Sequence, residues 1–112
     1  MTINRVLECL PEIAKIARAR SLARRIQLLR ESRDCIYYAI SEISLNVLNG
    51  SLPLDKKHIN KLSDHKKAIR KIGKKKLSLP ARKRAIIQSG GFLPSLLIPA
   101  LTILGEIVAK KI

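Results

Sequence analysis

Residues 56–84 read KKHINKLSDHKKAIRKIGKKKLSLPARKR, and nearly every side chain there that could do chemistry is a cation. Lys56, Lys57, Lys61, Lys66, Lys67, Arg70, Lys71, Lys74, Lys75, Lys76, Arg82, Lys83 and Arg84 share the segment with one acid, Asp64. A helix surface that needs only solubility interleaves both signs, because like charges three or four residues apart repel. Concentrating one sign costs self-repulsion that a polyanion relieves. Nucleic acid is the commonest polyanion, and each ammonium or guanidinium that meets a phosphate releases condensed counterions. The thirteen cations are therefore the candidate nucleic-acid contacts.

Most of that charge is lysine, a point charge suited to phosphate, whereas base-edge reading wants Arg, Asn or Gln on a rigid element. The expectation is sequence-independent binding to the phosphate backbone of DNA, with condensation or packaging as its use. A helix-turn-helix over 55–88 with Gly73 in the turn is a lesser reading, since a flexible lysine run would occupy the turn. The cluster Arg82-Lys83-Arg84 also has the composition of a nuclear-import signal.

Other chemistry is poorly supplied. His58 and His65 lie seven residues apart with no cysteine or carboxylate cluster nearby, so no metal site is expected. Neither a glycine-rich phosphate loop nor a nucleophile elbow is visible, and no catalytic residue or cofactor is assigned. Cys9 and Cys35 are far apart, without the paired spacing of a secreted scaffold, and read as small core residues in a reducing compartment. The N-terminus is amphipathic and interrupted by charge, unlike a signal peptide.

The cations must be held by something apolar. The 112 residues carry a net charge of +15, yet mean hydropathy is +0.04, so cationic and aliphatic content must be segregated. Residues 1–50 carry 8 basic and 5 acidic groups, 51–91 carry 13 and 2, and 92–112 carry 2 and 1. This suggests a helical module at 1–50, a basic nucleic-acid-binding segment at 51–91 and an apolar tail at 92–112.

Periodicity is helical almost throughout. Ile3, Val6, Leu7, Leu10, Ile13 and Ala14 share a face that Pro11 should kink or break. Ser21 is placed to cap a helix with the stripe Leu22, Ile26 and Leu29. Another runs from about Ser32 with Ile36, Ile40, Ile43 and Val47 inward, and Asn49-Gly50 ends it with a left-handed residue. A helix over 55–72 turns Ile59, Leu62, Ile69 and Ile72 inward. Leu79-Pro80 opens a short one through Gln88, and Gly90-Gly91 would cap it. Candidate surface ion pairs are Glu8 with Arg5 and Asp34 with Arg30. The fold class is all-α: a small hairpin or bundle at about 3–50, a basic helical segment, and an apolar C-terminal helix. A core this small invites dimerisation or a partner.

From Phe92 to Val108 the only charge is Glu106. A helix of that length spans roughly 26 Å, just short of the hydrocarbon core, and Pro94 and Pro99 should shorten it. Lys110 and Lys111 could meet headgroups. The tail could dock on the bundle, enter a membrane, or dock on another protein such as a capsid.

A cationic stretch followed by Gly90, Gly91, Phe92, Leu93 and Pro94, and then Leu96, Leu97, Ile98 and Pro99, resembles the precursor of adenovirus core protein X. It also resembles the basic core-type proteins of Polinton/Maverick elements and adintoviruses, which pair GGFLP with a KKxSLxxxKR-type stretch, here Lys75 to Arg84. The likeness covers about residues 65–104. It implies a non-enzymatic protein of the virion core and host nucleus that condenses the genome. It also implies a viral cysteine protease cutting after Gly91, with Phe92 as the new N-terminus. Gln88 departs from the aliphatic residue that such a protease favours four positions before the cut. The rival expectation is a membrane-active or membrane-anchored protein using residues 92–112.

Overall fold

Pro11 has no amide hydrogen to give, and the chain uses that at a helix start rather than in a helix interior. In the computed structural model, which describes the backbone of residues 3–111 and the side chains of 6–106, α1 (Ile3–Glu8) stops at Cys9. Helix α2 (Leu10–Ala17) then takes Pro11 into its first turn and buries Ile13, Ile16 and Ala17. The side chains of Ile3, Arg5, Lys110 and Lys111 lie outside the described residues, and with them the Glu8–Arg5 pair.

Ser21 caps α3 (Leu22–Arg30), its hydroxyl accepting from the Arg24 amide at 3.1 Å. The expected inward stripe is only partly right. Leu29 is buried, but Leu22 is 49% exposed, and Arg25 occupies the inward position instead. The reason is polar: its guanidinium finds two carbonyls inside the fold, described below.

Helix α4 (Asp34–Leu48) is the hub, packed by α1, α2, α6, α7 and α8. Ile36, Tyr37, Ala39, Ile40 and Ile43 are buried. Because neighbours surround it, Ser44 and Asn46 are buried as well, and each donates back to the carbonyl four residues earlier. The Tyr37 hydroxyl donates to the Leu29 carbonyl, tying α4 to α3. Gly50 ends the helix at φ +80, as the sequence suggests, and Leu52 donates back to the Asn46 carbonyl at 2.9 Å. Asp34 does not pair with Arg30; it faces across to Lys83.

The helix expected over 55–72 is divided. Helix α5 (Lys56–Leu62) passes through a 3₁₀ turn (Ser63–His65) into α6 (Lys66–Ile72). Leu62, Ile69 and Ile72 are buried, whereas Ile59 stays 48% exposed. Gly73 follows, and a Cβ there would lie 3.3 Å from the Leu45 backbone, so the residue is small because α6 crosses α4 closely.

Ser78 caps α7 (Leu79–Gln88), with Pro80 in its first turn. The helix ends at Ser89, whose φ is −88, and neither Gly90 nor Gly91 adopts positive φ. The left-handed cap expected there is absent; a tight turn bonded from Gly90 to Ile87 and from Phe92 to Ser89 redirects the chain.

Helix α8 (Leu93–Lys111) continues through Pro99, against the expectation that the prolines would shorten it. Leu93, Leu96, Leu97, Ala100 and Leu104 are fully buried against α2, α4 and α5. Burying four leucines is worth on the order of 8 kcal/mol, comparable with the whole net stability of a small domain. That burial offsets the peptide hydrogen bond lost at Pro99. One core cluster runs from Val6 to Leu104 and draws on all three sequence segments. The Cα radius of gyration, 12.9 Å, matches the roughly 13 Å of a folded chain this long, so the tail does not extend away. The protein is all-α, with no strand among the described residues.

Candidate nucleic-acid interface

The basic segment is built by giving each short helix one or two apolar anchors and leaving the rest to solvent. Leu62 holds α5, and Ile69 and Ile72 hold α6. On α6 the remaining surface carries Lys66, Lys67, Arg70 and Lys71, of which Lys67, Arg70 and Lys71 share one face by their helical spacing. Lys56, Lys57, Lys61, Lys66, Lys67, Arg70, Lys71, Lys74, Lys75, Lys76 and Arg84 are all exposed. The ion pairs seen among the described residues are Arg33–Glu12, His58–Asp55 and Lys83–Asp34, and they leave this group out.

Arg82 and Lys83 do not belong with them. Arg82 is 3% exposed. Its Nη2 donates to the Leu77 carbonyl at 2.8 Å and to that of Lys75 at 3.3 Å, and its guanidinium lies 5.0 Å from the centre of the Tyr38 ring. It is an anchor for the lysine loop, not a phosphate contact. By holding those carbonyls inward it leaves the side chains of Lys74, Lys75 and Lys76 in water. Lys83 meets Asp34 Oδ1 at 2.9 Å and lies 5.4 Å from the Tyr37 ring centre. The hydrogen bond to Asp34 holds its ammonium above the usual lysine range. A phosphate would have to displace Asp34 to use it.

The seam at Gly90-Gly91 is asymmetric. Gly90 is buried, and its carbonyl accepts from Arg25 Nη1 at 2.9 Å while Nη2 of the same side chain donates to Ala19 O at 2.9 Å. A Cβ on Gly90 would come within 3.2 Å of Leu22 Cδ1 and of the Ile87 carbonyl. Gly91 is exposed, with nothing within 4 Å of such a Cβ. Phe92 is half-buried and stacks on His65 at 4.5 Å between centroids and 11° between planes. Beside this stack an open cleft of about 500 Å³ is lined by Lys71, Gln88, Ser89 and Gly91.

The two buried arginines were missed in the sequence, yet a signal existed. Arg25 falls three residues after Leu22 and four before Leu29; Arg82 falls three after Leu79 and four before Ile86. Each stands on an apolar stripe, where a solvated cation does not belong. Groups of three or more His, Cys, Asp or Glu positioned to hold a metal ion do not occur among the described residues. No single helix there is long and apolar enough to cross a membrane; only α7 and α8 together pass by length and composition, and they bend by 104°.

Comparison of the chain with protein-family models, curated proteins and solved structures returned no match.

Proposed function

We propose that this chain is a non-enzymatic protein that binds DNA without sequence preference and condenses a genome in the virion core of an adenovirus-like virus or related element. The observation that carries the reading is the set of exposed cations from Lys56 to Lys76, with Arg84, left outside every observed ion pair, those of α5 and α6 being fixed there by buried leucine and isoleucine. Such a face meets phosphates at many points without inserting a rigid reading element into a groove. The GGFLP string and the Lys75–Arg84 stretch support the viral assignment by resemblance, with the host nucleus and particle core as the places of action. On this reading Gly90, Gly91 and Phe92 form a processing site for a viral cysteine protease, the cut falling after the exposed Gly91.

The test uses the full chain and two duplexes of unrelated sequence. Equal affinities are expected, with a steep fall in log K against log salt; six phosphate contacts correspond to a slope of about −5. A strong preference for one duplex would revive sequence reading by α6 and α7, and a flat salt dependence would sink the proposal. The membrane alternative requires α8 to leave the core and expose Leu93, Leu96, Leu97 and Leu104. Leakage of anionic liposomes by the intact chain is the result that would favour it.

A further inference from the structure

Cys9 and Cys35 stand 26 residues apart in sequence, yet their sulfurs lie 3.6 Å from one another. Both are free thiols. Cys9 sits at the break between α1 and α2, with φ −101 and ψ 1, and is 2% exposed. Cys35 is the second residue of α4 and is only half-buried, so a small molecule in solution reaches it first. Closing the gap to a sulfur–sulfur bond of about 2.05 Å needs a movement of roughly 1.5 Å. Side-chain rotation and a slight shift at the α1–α2 break supply that.

We propose that Cys9 and Cys35 form a reversible intramolecular disulfide, made by a small disulfide oxidant such as glutathione disulfide and opened by a thiol reductant. The Cys35 thiolate attacks one sulfur of the oxidant; that sulfur–sulfur bond breaks, and the first small thiol leaves and takes up a proton. Cys9 then gives its proton to solvent and attacks the Cys35 sulfur, expelling the second small thiol. Two protein thiols lose two electrons and two protons, and one oxidant disulfide becomes two thiols. Burial and the neighbouring Cys35 push the Cys9 thiol up to about 11, Glu12 pushes the same way, and Arg33 opposes them. The second step therefore limits the rate near neutral pH and accelerates as pH rises toward 10.

The bond would close a loop containing α2 and α3, and so the Arg25 side chain that grips Gly90 O. Oxidation thus staples the N-terminal helices to α4 and restrains the part of the fold that holds the seam. The restraint acts mainly on the unfolded chain.

The experiment treats the full, folded, reduced chain with glutathione disulfide at pH 7 and pH 9. Intact mass, maleimide-reactive thiols and thermal melting are followed. Loss of both thiols with only two hydrogens lost in mass, faster at pH 9, is expected. The melting temperature should rise by about 10 °C and return to its starting value with reductant. The Cys9→Ala variant, nearly volume-neutral, should stop at a glutathione adduct on Cys35. Two thiols that stay free, a lasting adduct on the native chain, disulfide-linked dimers or a lowered melting temperature would each overturn the proposal.

Discussion

Arg82 donates to the Leu77 carbonyl at 2.8 Å from a position 3% exposed, so a cation of the densest basic run is turned inward. Its neighbours in that run depend on it. Lys74, Lys75 and Lys76 have no apolar anchor of their own, and their loop is shaped by the carbonyls that Arg82 gathers.

Substituting Arg82→Ala should therefore cost stability, by about 2–4 kcal/mol, because two carbonyls lose a charged donor and the Tyr38 ring loses its cation. Lys75→Ala should change stability by no more than about 0.5 kcal/mol. DNA binding should divide the two in the opposite sense. Lys75→Ala lowers the log–log salt slope by about 1, and Arg82→Ala, measured where it is still folded, leaves affinity per exposed cation unchanged. Urea melts and salt titrations on both variants check this.

What the sequence made legible follows from how local each cause is. The all-α class, the Ser21 cap, the Pro80 helix start and the left-handed Gly50 rest on short-range chemistry, and each is observed. Exposure of the lysines followed from their number, since a core of this size has no room for them. Long-range choices were hidden. Nothing near Asp34 in sequence says that Lys83 rather than Arg30 will meet it, and the 3₁₀ break at Ser63–His65 lets α5 and α6 pack in different directions. The tail's docking was open because hydropathy is the same for a core helix and a membrane segment; only the partners α2, α4 and α5 decide.

The two seam glycines should respond differently to the same change. Gly90→Ala puts a methyl 3.2 Å from Leu22 Cδ1 and from the Ile87 carbonyl, and the carbonyl cannot yield without bending the end of α7. A loss of about 1–2 kcal/mol is expected. Gly91→Ala meets open space at negative φ and should fall within about 0.5 kcal/mol of the parent. Parallel denaturant melts decide it, and equal losses at both positions would contradict the asymmetry.

Stability should fall on the alkaline side. The Cys9 thiol ordinarily titrates at 9.0 and is held up to about 11 in the fold by burial and by Cys35. Between those values the unfolded chain has lost a proton that the folded chain keeps. The folded state's advantage is therefore complete below pH 9 and lost by about 11, a change of up to about 3 kcal/mol. Burial raises the Tyr37 hydroxyl from its ordinary 10.0, and the Asp34 hydrogen bond raises Lys83 from 10.5, so both add losses of the same sign that begin in the upper part of the Cys9 window. Thermal melts of the reduced protein from pH 8 to pH 11 should show the decline, and Cys9→Ala should flatten its first part.

If a protease cuts after Gly91, the tail should stay. The bond to be cut, Gly91–Phe92, lies one peptide beyond the Gly90 carbonyl held by Arg25, and a protease cleft needs several residues extended at once. Cleavage should therefore wait on local opening of the α7–α8 turn. Removing the grip with Arg25→Ala should raise the cleavage rate at least about tenfold, since a lost charge-assisted hydrogen bond is worth more than about 1.4 kcal/mol. After the cut, Leu93, Leu96, Leu97 and Leu104 still face α2, α4 and α5, so the two fragments should co-elute in native buffer and separate only in denaturant. Mass spectrometry of the native and denatured product distinguishes the cases. Prompt release of a fragment beginning at Phe92 under native conditions would show that α8 is held by the chain connection rather than by its buried leucines.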